Sequence, residues 1–220
     1  MEWVLRNVTP RPEATDTARL GAMQEDYAAF LPIRGLNVAL DERDPITHGH
    51  CDRVTGLSLE LGQLCGLSER ELRILRLVAR LHDIGKIGIP DTILKKPTKL
   101  DDQDWLVMKT HSARSERIVL ASALENSAEI AQGVRHHHER YDGDGYPDGL
   151  AGEAIPVLAR IVAIADTYDA MAYLRAYGEP LPHVQIMREL HRVAGGQHDA
   201  YLSAKFAVTI ENSPFKVNGS

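Results

Sequence analysis

Only two of the 220 residues are cysteine, Cys51 and Cys65. Two thiols cannot form a disulfide framework for a chain of this length, and by themselves they cannot form a zinc ribbon. Both are expected to be buried and inert. Long apolar runs are lacking too: none approaches the roughly 20 residues that a bilayer-crossing helix needs. The stretch Met1 to Pro10 lacks the basic, apolar and small-residue pattern of a secretory signal, so a cytoplasmic protein is expected, neither exported nor membrane-bound. Positive charge is not in excess either, since the formal net charge is −6. A nucleic-acid polymer is therefore not an expected partner, because its binding relies on clustered Lys and Arg. A small anionic ligand stays open, as a bound divalent metal can outweigh the global charge inside a pocket. Period-2 alternation is almost absent, and we find no internal repeat, low-complexity tract or interdomain linker.

What is present is an ordinary globular composition, 44% hydrophobic and 25% charged, enough for one sizeable core. Apolar residues recur at helical spacing from Ala28 onward, so the fold is predicted to be mainly α. Helices are expected over about 45–65, 69–83, 102–120, 126–138, 156–173 and 182–194. Ser68, with Glu71 three residues on, has the form of a capping box. Glycines and prolines mark Gly85–Pro97 and Asp142–Pro156 as loops. Residues 1–27 read as a flexible or partly helical lead-in and 211–220 as a loose tail.

The chain has ten histidines, and several adjoin an acid or another histidine. Leu75, Val78 and His82 share a helical face, as do Ile130, Val134 and His137, and Met108 with His111. A lone inward histidine is usually a satisfied core residue. Several converging imidazoles are costly to bury unless each finds a partner, and a metal supplies one for all of them. Imidazole with carboxylate suits iron, manganese, zinc or nickel. The pair His82-Asp83 adds a carboxylate able to bridge two cations, an arrangement suited to in-line attack on a phosphodiester. Asp166 interrupts the apolar run Ile161–Ala165 and is a further candidate, set against a helix cap or a paired core carboxylate.

Taken in order, His82-Asp-Ile-Gly-Lys86, His137-His-Glu-Arg-Tyr-Asp-Gly-Asp-Gly-Tyr-Pro147 and Ala165-Asp166 resemble the HD-GYP subfamily of HD-domain phosphohydrolases. Arg43-Asp-Pro-Ile-Thr-His-Gly-His50 resembles that family's first ligand segment. The likeness spans about Leu36 to Phe206. It implies an all-α HD-domain helical bundle with a GYP loop over residues 28–210, and a metal-dependent phosphodiesterase hydrolysing cyclic di-GMP to pGpG, GMP or both. It also implies two divalent transition-metal ions, iron or manganese, on His50, His82, Asp83, His111, His137, His138 and Asp166. Asp83 and Lys86 would act in catalysis, and Tyr146, Asp169 and Arg175 would contact the nucleotide. His48 and His136 match no ligand position and are expected to be exposed. A separate sensor or receiver protein, and a homodimer, are compatible partners.

The sequence departs from the family in places. Ile46 stands where some members carry a third-metal glutamate, which favours two metals over three. The usual Asp-Arg-Pro-Tyr-Arg reads Leu174-Arg-Ala-Tyr-Gly178, and His198 and Ala200 replace the usual Phe and Pro. These changes keep open a phosphodiesterase for a mixed guanine and adenine dinucleotide, a metal-containing binding module without turnover, and an HD-type hydrolase of another phosphorylated substrate.

Overall fold

The computed structural model describes residues 35, 38–40, 42–43, 49–173 and 180–217, all within the unit Pro32–Ser220. The expected lead-in, His48, Ile46, Arg175 and Gly178 lie outside the described residues. The labelled helices are α1 (His50–Leu64), α2 (Glu69–Leu81), α3 (Asp91–Leu94), α4 (Asp102–Ala121), α5 (Ser127–Arg135), α6 (Val157–Ala172), α7 (His183–Val193) and α8 (Ala200–Glu211). Among the described residues no strand forms, and no helix is long and apolar enough to cross a membrane.

The fold is organised around α6. Its sequence is apolar nearly all round, and Ile161, Val162, Ile164, Ala165 and Tyr168 are buried, as expected of a helix surrounded by others. It packs against α1, α2, α5, α7 and α8. α2 shows the opposite pattern, with a buried stripe of Leu72, Leu75, Val78 and Ala79 beneath a charged outer face. The expected capping box starts it: the Glu71 N–H donates to Ser68 Oγ and the Ser68 N–H donates to Glu71 Oε2.

Four expectations are corrected. The segment after Gly85 is no simple loop: Ile84–Gly88 is a 3-10 turn and α3 follows it. Cys51 and Cys65 are half-buried, not enclosed, because each lies at an end of α1. A helix not foreseen, α8, forms near the C-terminus, where the Asp199 carboxylate accepts from the N–H groups of Tyr201 and Leu202 and so satisfies donors that a helix start leaves open. Residues 212–217, expected as a loose tail, fold back instead. Phe215 lies against Gly56 of α1, so closely that a Cβ at residue 56 would overlap its ring. The Val217 N–H donates to the Tyr168 hydroxyl at 3.2 Å.

Candidate metal centre

The site is built where helices end. α2 stops at Leu81, with His82 as its C-cap and Asp83 opening the 3-10 turn. This turn lies directly on α4, because Gly85 has no side chain; a Cβ there would overlap the His111 carbonyl oxygen. Ser115 of α4 fastens the contact, accepting from the Gly85 N–H at 2.9 Å and donating to the His82 carbonyl at 2.7 Å. The same approach brings His111 to Asp83. α5 ends at Arg135, three residues earlier than the periodicity predicted, so His137 and His138 point inward from a turn and not from a helical stripe.

Two groups of candidate ligands result, and Asp83 belongs to both: His50, His82 and Asp83 in one, Asp83, His111, His137 and His138 in the other. The Asp83 oxygens face different ways. Oδ1 is 3.3 Å from His111 Nε2, while Oδ2 is 3.5 Å from His82 Nε2 and 3.8 Å from His50 Nε2. Asp166 reaches in from α6 and puts Oδ1 3.4 Å from His50 Nε2. The structure thus brings together all seven residues that the sequence proposes as ligands.

The hydrogen-bonding of the imidazoles tests whether a metal fits. Nδ1 of His82, His111 and His137 each donates to the carbonyl three residues earlier, at 2.7, 2.8 and 2.7 Å. A carbonyl only accepts, so Nδ1 carries the proton and Nε2 is left as a lone pair. His50 is fixed by a carboxylate: Asp169 Oδ2 is 2.7 Å from its Nδ1. His111 and His137 then face each other through Nε2 at 3.4 Å, and so do His50 and His82. Two buried acceptors at that distance share no proton and repel; a cation between them removes the conflict.

The electrostatics agree. Burial pushes His111, His137 and His138 below the ordinary histidine range, His137 to about 3, with Asp83 opposing the shift in each case. These rings are neutral at pH 7, as metal ligation requires. Burial pushes the Asp83 carboxyl up, but the charge of Lys86 opposes it and the group is held well below its usual range. Lys86 Nζ lies 2.5 Å from Asp83 Oδ2.

Two residues are placed differently from expectation. The family likeness gives Asp169 to the nucleotide, whereas here the side chain is 2% exposed and both oxygens are engaged by His50 and by the Arg53 guanidinium. It is a positioning residue for His50. Arg53, which sequence reading missed, also covers the Tyr173 ring at 3.7 Å; its place one turn after His50 was the available signal. His136, expected to be exposed, is buried and sits 3.4 Å from Glu139. His136, Glu139 and Asp148 have ligand-like spacing, yet their acceptors are filled. Glu139 accepts from the N–H groups of Asp148 and Leu150, and Arg135 takes both oxygens of Asp148. This trio clamps the Gly143–Pro147 loop. The clamp lays Tyr146 over His138, ring centroids 4.8 Å apart and tilted by 29°, and burial raises the Tyr146 phenol above its usual range.

A profile of the HD domain family matches residues 36–202. The chain is 43% identical over 174 residues to a cyclic di-GMP phosphodiesterase of Thermotoga maritima, covering 78% of this chain and 46% of the relative. It is 40% identical over 158 residues to a 3'3'-cGAMP-specific phosphodiesterase of Vibrio cholerae, covering 72% of this chain and 30% of the relative. The chain therefore spans less than half the length of these relatives. Among solved structures, a cyclic GMP-AMP specific phosphodiesterase of Vibrio cholerae shares the fold with a TM-score of 0.64 at 22% identity, over 85% of this chain and 49% of that one.

Proposed function

This chain belongs to the HD domain family, and on that premise we propose that it is a metal-dependent phosphodiesterase that opens cyclic di-GMP to pGpG, GMP or both at a dinuclear iron or manganese centre. The observation that carries this reading is Asp83, one carboxylate shared by two groups of imidazoles. Divalent ions, when bound, supply Lewis-acid activation of water and charge neutralisation at phosphate. The chain's own residues do the rest. Backbone carbonyls and Asp169 fix the imidazole tautomers, and Lys86 keeps Asp83 ionised. Lys86, with its side chain 23% exposed, also presents a cation where an incoming phosphate would lie. Tyr146 stacks on His138 and shields one face of it. Arg175, proposed as a phosphate contact, lies outside the described residues.

The test combines metal analysis with product chromatography. Protein produced with ample iron and manganese should hold about two metal ions per chain, as a site with one bridging carboxylate implies. It should convert cyclic di-GMP to pGpG or GMP faster than it converts the mixed guanine and adenine dinucleotide. Asp83→Asn should lose both metal and turnover while circular dichroism stays helical. A folded wild-type protein without metal, or an Asp83→Asn variant with most of its activity, would overturn the reading.

A further inference from the structure

The ring contact of Tyr146 with His138 continues onto α4. Trp105, in the first turn of that helix, is 47% exposed, and Leu106 beside it is 54% exposed. Trp105 gives Tyr146 an edge contact, ring centroids 6.3 Å apart and inclined by 79°. Tyr146 in turn stacks on His138. One turn beyond Trp105, Lys109 holds Nζ 5.8 Å from the Tyr146 centroid. The acids nearby, Asp101 and Asp104, are paired with Lys96, which limits their repulsion of an anion.

An indole that served only to seal the core would be enclosed, as Leu81 and Ile155 are. Trp105 instead meets Tyr146 nearly at a right angle and leaves much of its surface open. The corner lies two ring contacts from His138, and a cation borders it. A phosphate site next to an open aromatic corner is the form a nucleotide site takes, because every base has a face to stack.

We propose that Trp105 is a base-binding residue: a purine of the cyclic dinucleotide stacks on the exposed indole and meets Tyr146 at its edge. The proposal rests on the phosphodiesterase reading and adds to it a substrate-binding residue from α4, outside the histidine and GYP motifs.

Tryptophan emission tests it, since Trp3 and Trp105 are the only two tryptophans and Trp3→Phe leaves Trp105 as the sole indole. In the metal-loaded full chain carrying that change, a slowly hydrolysed phosphorothioate analogue of cyclic di-GMP should quench emission saturably. GMP should quench it as well, whereas ribose 5-phosphate, which has the phosphate and no base, should not. Trp105→Ala should raise KM for cyclic di-GMP by roughly tenfold, the order expected from losing one stacked base. The effect should fall on KM more than on kcat, and Trp105→Tyr should recover most of it. Unchanged emission at saturating analogue with KM within about twofold of wild type would overturn the proposal. A fall in kcat alone would overturn it too, by making Trp105 a mere support for Tyr146. If the wild type cleaves bis(p-nitrophenyl) phosphate but not cyclic di-GMP, the substrate reading fails; the contrast between GMP and ribose 5-phosphate then still decides base stacking.

Discussion

Asp83 and His198 are both buried polar side chains in this molecule, and they differ in what surrounds them. Asp83 is ringed by imidazoles and lies beside Lys86, whose positive charge favours the carboxylate. His198 is 3% exposed, and among the described residues neither ring nitrogen has a hydrogen-bond partner. Burial pushes it down to about 4, so it sits in the fold as a neutral ring with unmet polar atoms. An unsatisfied buried polar group costs on the order of 1–3 kcal/mol in proteins, and a phenyl ring of similar shape carries no such atoms. His198→Phe is therefore expected to stabilise the protein by about 1–3 kcal/mol at pH 7, read as a higher urea midpoint with an unchanged slope. A lower midpoint would show that the surroundings of residue 198 are shaped to an imidazole.

At the scale of elements, the metal centre depends less on helices than on what stops them. The turn after α2 carries His82 and Asp83, and the turn after α5 carries His137 and His138, with Gly85 allowing the first turn to lie on α4. Behind α6 the C-terminal segment acts as a brace. The Val217 N–H donates to the Tyr168 hydroxyl, which is 3.0 Å from His183 Nδ1, and His183 Nε2 is 3.0 Å from Glu211. Phe215 fills the space left by the absent side chain of Gly56. Phe215→Ala should cost about 1–2 kcal/mol, below the value for a full core phenylalanine because the ring is only half-buried. Metal content should change little. Thermal unfolding with metal analysis checks both outcomes, and a variant as stable as wild type would show that the segment does not brace the bundle.

For the whole molecule, the buried imidazoles set the acid limit. With the metal removed, His137 is held at about 3 and His198 at about 4, against an ordinary 6.5. Below pH 6.5 the unfolded chain takes up these protons and the folded chain does not, so stability falls as pH falls through this range. Each such group contributes a slope of about 1.4 kcal/mol per pH unit between its folded and unfolded values. The metal-free protein is thus expected to lose roughly 2 kcal/mol between pH 6.5 and 5.5 from these two rings, with His111 and His138 adding in the same direction. Urea titrations at a series of pH values measure this, and a flat profile across that range would show that the rings are solvated. Bound metal should move the loss to lower pH, because ligation excludes the proton.

The sequence alone determined the helical class, the capping box at Ser68 and which seven candidate ligands would cluster, because these depend on periodicity and on an ordered motif set that chance seldom assembles. It could not determine what depends on elements meeting in space. The sharing of Asp83 between two groups requires α4 to lie against the turn after α2. Asp169 meets His50 and Arg53 because α1 and α6 are neighbours in the fold, although these residues are far apart in the chain. His136 is buried beside Glu139 and Asp148, which the sequence leaves three and twelve residues away and only the folded loop brings together. Local pattern records which side chains carry chemistry. Which of them bind, which position others and which support a loop was decided by tertiary packing, since a buried donor or acceptor must take whatever partner the fold brings to it.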